Sequence, residues 1–143
     1  MERFEYAVRL VPAEEGGFVV SCRDLPQLVT QGEDKVHALS EAADAMDEVF
    51  AACMQGDLNF PTPSKARTRE HWVSPHAGTM AKAALYVALH ETGITKVQLA
   101  KRLGIDEKEV RRLLEPHHGS KLPRIAQAIS ALDRRLIIGL EPA

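Results

Sequence analysis

Leu99-Ala100-Lys101-Arg102-Leu103-Gly104-Ile105-Asp106-Glu107-Lys108-Glu109-Val110-Arg111-Arg112-Leu113-Leu114 decides the second half of this chain. It holds the end of one short helix, a glycine turn and the whole of another. Thr95 to Gln98 fits the capping box S/T-x-x-E/Q and opens the first helix, with Val97, Leu99, Ala100 and Leu103 inward. Asp106-x-x-Glu109 opens the second on the same plan, with Val110, Leu113 and Leu114 inward. Ala100 is small where the helices must cross, Gly104 makes the turn, and Ile105 and Val110 plug the space between. Two short capped helices in this order are the pattern of a helix-turn-helix, whose first helix braces the second against the DNA major groove.

The outer surface of the second helix then carries Glu107, Lys108, Arg111 and Arg112. An arginine there can make a bidentate contact to guanine, and Lys108 is placed for a base or a phosphate. Lys96 and Lys121 lie at helix starts, where side chain and helix N-terminus together hold a phosphate. Glu107 and Glu109 repel phosphate, which the cap role of Glu109 and the helix dipole at Glu107 explain. A merely solvated helix face is the alternative for these residues.

Outward from the motif, Met80 to Glu91 reads as a helix stopped by Gly93, and Ser120 caps a last helix through Ile125, Ala128, Ile129 and Leu132. His117 and His118 sit in the loop between and read as exposed, with no third ligand to make a metal site. Leu136 to Leu140 is β-like and suits an edge strand or a dimer contact.

The first half follows another period. Phe4, Tyr6, Val8 and Leu10 alternate with polar or small residues as far as Pro12, Gly16-Gly17 supplies a turn, and Phe18 to Cys22 resumes a strand. After Asp24-Leu25-Pro26, Leu28 to Gln31 makes a third strand before Gly32. Asp34 caps a helix whose Val36, Leu39, Ala42, Ala43, Met46, Val49, Phe50 and Cys53 form one apolar stripe, with Glu41, Asp44, Asp47 and Glu48 opposite. The expected fold is therefore α+β: a three- or four-stranded antiparallel sheet packed on one helix, then an all-α helix-turn-helix domain. Boundaries fall at residues 1–60, a linker at 61–77 rich in Pro and basic residues, and 78–143. His71-Trp72-Val73 is the candidate fourth strand, because a tryptophan in a linker would leave a large apolar surface wet.

Charge separates the same segments. Residues 1–60 hold four Lys/Arg against twelve Asp/Glu, a net of -8, whereas 61–77 carry +2 and 78–143 carry +4. A basic half suits phosphate and an acidic half suits a cationic partner. Only +4 on the basic half predicts modest DNA affinity per subunit, hence a homodimer or higher oligomer on two half-sites. Cys22 and Cys53 lack metal-ligand spacing and read as buried free thiols. No run of eighteen apolar residues exists, and Glu2, Arg3 and Glu5 precede any apolar stretch, so the expected location is the cytoplasm, with neither membrane span nor signal peptide.

Glu15-Gly16-Gly17-Phe18-Val19-Val20, Asp24-Leu25-Pro26, Thr30-Gln31-Gly32-Glu33 and the Ala42-rich helix together resemble the HicB antitoxin family. Leu99 to Leu114 resembles the Xre-type helix-turn-helix that one subgroup of that family carries. The resemblance implies a reduced ribonuclease-H-like first domain and a partner toxin of the HicA type, a small basic mRNA-cleaving protein. It also implies repression of the shared operon through operator DNA. Toxin contact is assigned to Asp24, Leu25 and Gln31 with Asp44 and Glu48 of the first helix. Asp24, Asp34, Asp44 and Asp47 fall on a turn, a cap and an exposed face, so no catalytic site, metal or cofactor is expected. Two alternatives stay open: a ligand-sensing transcriptional regulator with no toxin partner, and a ribonuclease-H-like enzyme, which needs an acidic metal cluster.

Overall fold

A computed structural model describes residues 3–143. The chain falls into two compact units, one ending at Met80 and the other Ala81–Ala143. The boundary lies in the first turns of α2 (Ala77–Thr92).

In the first unit, β1 (Tyr6–Pro12), β2 (Phe18–Cys22), β3 (Val29–Gly32) and β4 (Glu70–Val73) form one antiparallel sheet in the order β3-β2-β1-β4. The β1–β2 turn is closed by Gly16 N–H to Ala13 O at 3.1 Å and Ala13 N–H to Gly17 O at 3.0 Å. Gly16 and Gly17 both have positive φ there, 97° and 75°, which side-chain-bearing residues rarely adopt. His71-Trp72-Val73 does pair with β1, Val73 opposite Tyr6 and Trp72 opposite Ala7, making four strands.

Helix α1 (Lys35–Gln55) covers one face of the sheet. Asp34 caps it by accepting a hydrogen bond from His37 N–H. Its buried residues are Ala38, Ala42, Met46, Val49, Phe50, Ala51, Cys53 and Met54. The stripe therefore starts at Ala38, and Val36, expected within it, is 82% exposed. Gly32 explains the shift. A Cβ on Gly32 would run into the Ala38 backbone, so the helix meets β3 at Ala38, and Val36 falls on the other side of the first turn. Phe50 anchors an aromatic cluster, stacked on Phe60 at 4.6 Å and edge-on to Phe4 and Tyr6 at 6.0 Å.

Residues 61–69 contain neither helix nor strand, yet they are tied to the sheet. Tyr6 donates its hydroxyl to Pro61 O at 2.6 Å, and Asp24 accepts from both the Ser64 N–H and Oγ at 2.7 Å. Arg23 donates to both carboxylate oxygens of Glu70 and to Lys65 O. Cys22 and Cys53 are buried free thiols, each raised in pKa by burial.

The second unit packs the rest of α2, α3 (Lys96–Leu103), α4 (Glu107–Leu114) and α5 (Leu122–Ser130) around Leu85, Leu99, Val110, Ile125, Ile129 and Leu132. Gly93 and Gly104 end α2 and α3 with φ of 68° and 67°, the left-handed conformation a glycine takes without penalty. Leu136 to Leu140 forms no strand within the chain, and Leu140 is fully exposed. Among the described residues no helix is long and apolar enough to cross a membrane.

Candidate nucleic-acid interface and acidic face

The α3–turn–α4 unit is built by its caps. Thr95 accepts from Gln98 N–H while Gln98 Oε1 accepts from Thr95 N–H, so both halves of the capping box are made. Leu99 and Ala100 are buried on α3, but Val97 is 47% exposed, because two turns of helix present a single inward row and Val97 lies off it. Asp106 caps α4 by accepting from Lys108 N–H at 2.9 Å.

The second box is not closed. Glu109 turns away from the cap and accepts instead from Arg124 of α5 at 3.0 Å, a link fifteen residues long that local spacing cannot foresee. Ser120 does not cap α5 either; the cap position is Lys121, without a side-chain bond, and Pro in the first turn supplies the start.

Val110, Leu113 and Leu114 are buried on α4, which leaves Lys108, Arg111 and Arg112 exposed on its outer surface. Glu107 lies four residues before Arg111 and pairs with it at 2.7 Å. Both glutamates on this helix are thus answered by arginines. Lys96, Lys108, Arg112 and Lys121 are exposed with no ion pair or hydrogen bond from their side chains among the described residues. Arg112 and Lys121 line one groove between α4 and α5, together with His118 and the Arg124–Glu109 pair. Lys96 and Lys108 stand outside that groove.

Sequence reasoning missed Lys82. It sits three residues before buried Leu85 and seven before buried Leu89, so a lysine on an apolar stripe was the available signal. Its side chain is buried, and its ammonium donates to Arg112 O at 2.9 Å, Glu115 O at 2.6 Å, His118 O at 2.6 Å and Ser120 Oγ at 2.9 Å. Burial lowers its pKa from the ordinary lysine value, and the charge of Glu115 opposes that.

On the first unit, Leu25 is fully buried and Asp24 is engaged with Ser64, whereas Gln31, Asp44 and Glu48 are exposed. Asp44 and Asp47 converge on His76, one ligand atom from each lying within 4.8 Å of the others. Asp47 accepts from His76 N–H at 2.8 Å and lies 2.7 Å from its Nδ1, and Asp44 lies 3.6 Å from its Nε2. The Asp47 carboxylate holds this imidazole above the usual histidine range, with Asp44 adding to the effect. Both ring nitrogens face carboxylates, so the three side chains are engaged with one another just before α2.

Residues 5–84 match the family model described as "HicB_like antitoxin of bacterial toxin-antitoxin system". The chain belongs to the HicB-like antitoxin family. Antitoxin HicB of Escherichia coli K12 is 34% identical over 131 residues, covering 92% of this chain and 95% of that protein. Antitoxin HicB of Pseudomonas fluorescens Pf0-1 is 33% identical over 141 residues, covering 98% and 96%. Antitoxin HicB 1 of Photorhabdus laumondii is 28% identical over 141 residues, covering 99% and 90%. This HicB-like chain therefore has an antitoxin role in a toxin–antitoxin system, with a toxin as its partner, and its family points to regulation rather than turnover.

Proposed function

We propose that this antitoxin covers a small basic HicA-type mRNA-cleaving toxin with its first unit and, as a homodimer in the cytoplasm, represses its own operon through α3 and α4. The observation that carries the DNA reading is the charge state of α4. Its acids are internally paired, and Lys108 and Arg112 are left with side chains directed at solvent. α4 is thus the reading helix and Arg112 the leading candidate for a guanine contact, with Lys108 beside it and Lys96 and Lys121 on phosphates. Arg111, paired to Glu107, contributes after exchanging that partner. For the toxin, the net -8 of residues 1–60 gives steering toward a cationic surface, and exposed Gln31, Asp44 and Glu48 are the contact candidates.

The test separates the two activities. Arg112→Ala should weaken binding to the chain's upstream DNA by about 1–3 kcal/mol if it reads a guanine, and Arg111→Ala by less, while toxin neutralisation stays intact. Loss of neutralisation in both variants would refute the division of labour between units.

A further inference from the structure

Lys82 is a buried ammonium whose hydrogen-bond acceptors, among the described residues, are carbonyls and a hydroxyl rather than carboxylates. An ammonium carries three hydrogens, all donors, and here it faces four oxygens between 2.6 and 2.9 Å, three of them backbone carbonyls. Such a cage compensates a buried charge with dipoles. Arg112 O belongs to the last turn of α4, where the helix dipole leaves partial negative charge, and besides Lys82 it accepts only the capping Glu115 N–H at 3.2 Å among the described residues. Glu115, His118 and Ser120 belong to the segment between α4 and α5, with Ser120 just before Lys121, the cap position of α5.

Three of the four acceptor residues, Arg112, His118 and Ser120, line the groove that Arg112 and Lys121 share, so the cage ties the end of α4 to the loop that leads into α5. Arg112 itself contributes two groups: its carbonyl to Lys82 and its guanidinium to solvent. Lys121 follows the Ser120 hydroxyl directly. We infer that Lys82 is the internal positioning residue of this interface, its single cation setting the spacing of Arg112 and Lys121 so that both meet the phosphates of a non-specific duplex, the register from which Arg112 reaches a guanine on the operator. This rests on the reading of the second unit as DNA-binding. A lysine is needed rather than any cation, because the donors must diverge from one nitrogen; a planar guanidinium spreads them over three.

The probe is a fluorescently labelled, mixed-sequence DNA duplex three helical turns long, titrated with the full chain over a range of salt. For duplex DNA, log K falls against log salt with a slope of about 0.9 per phosphate neutralised. Lys82→Met is expected to lower that slope by roughly one to two and to weaken binding about tenfold at low salt. Lys82→Arg should do nearly the same. A variant that merely folded less would bind less at every salt with the slope unchanged. An unchanged slope in Lys82→Met at wild-type helical content, or full recovery by Lys82→Arg, overturns the inference.

Amide hydrogen exchange without DNA keeps the two proposals apart. Faster exchange in Lys82→Met confined to residues 113–121 supports the positioning role, and unchanged exchange there overturns it. Ser120→Ala, which deletes one acceptor and leaves the charge in place, gives a smaller version of the same change and serves if Lys82→Met does not fold. A wild-type chain that fails to bind the duplex at any salt refutes the DNA reading, and the exchange result alone then decides whether Lys82 holds the groove together.

Discussion

Glu70 is the most perturbed carboxyl among the described residues. Its side chain is 4% exposed, and it accepts two bonds from Arg23, at 2.6 and 2.8 Å, and one from Arg67 N–H at 2.6 Å. These bonds favour the ionised form, with the Arg23 guanidinium dominant, and bring its pKa from 4.5 to about 2. The folded value lies below the unfolded one, so the stabilisation is present above pH 4.5 and is lost as pH falls from 4.5 toward 2. Glu70→Gln should flatten the acid limb of the urea-midpoint profile in that window; an unaltered limb would show that the pair contributes nothing. His76 runs the other way. Asp47 raises its pKa above 6.5, so its contribution is complete below pH 6.5 and fades as pH rises through the raised value. A nuclear magnetic resonance titration of the His76 ring should place its midpoint above 6.5, and Asp47→Asn should bring it down. Neither pair was legible in the sequence. Arg23 and Glu70 lie 47 residues apart and Asp47 and His76 lie 29 apart, and residue periodicity carries no information about such partners. The exposed arginines of α4 were legible, because helical spacing fixes which side they take; that Glu109 belongs to Arg124 was not.

At the scale of elements, local chemistry wrote most of the fold. Asp34, Thr95 and Asp106 each cap the helix they precede, and Gly93 and Gly104 end theirs in the left-handed region. Caps and turns act over two or three residues, which is why the sequence exposes them. Asp106→Ala should destabilise the second unit by about 0.5–2 kcal/mol, read from its thermal unfolding, with the sheet unit unaffected. Packing between distant elements is what spacing leaves open. Gly32 and the start of the α1 stripe at Ala38 are one feature seen from two sides, visible only once β3 and α1 meet. Gly32→Ala forces them apart and should cost about 1–3 kcal/mol, toward the upper end because the obstruction is backbone. A neutral effect would mean that α1 slides along the sheet at little cost.

At the scale of the molecule, the chain carries opposite charge on successive segments, -8 over residues 1–60 and +4 over 78–143, the split on which the proposal of a cationic toxin for the first segment and DNA for the second rests. Association with a basic toxin should slow as salt rises while dissociation changes little, whereas duplex binding should lose affinity steeply with salt. The most direct test is co-purification of the full chain with the product of an adjacent small basic reading frame, followed by a gel shift on the upstream DNA. A stable complex that shifts that DNA, with Arg112→Ala retaining the toxin and losing the shift, is the predicted result. A chain that retains no basic partner, or an Arg112→Ala variant that shifts the DNA as well as wild type, would contradict it.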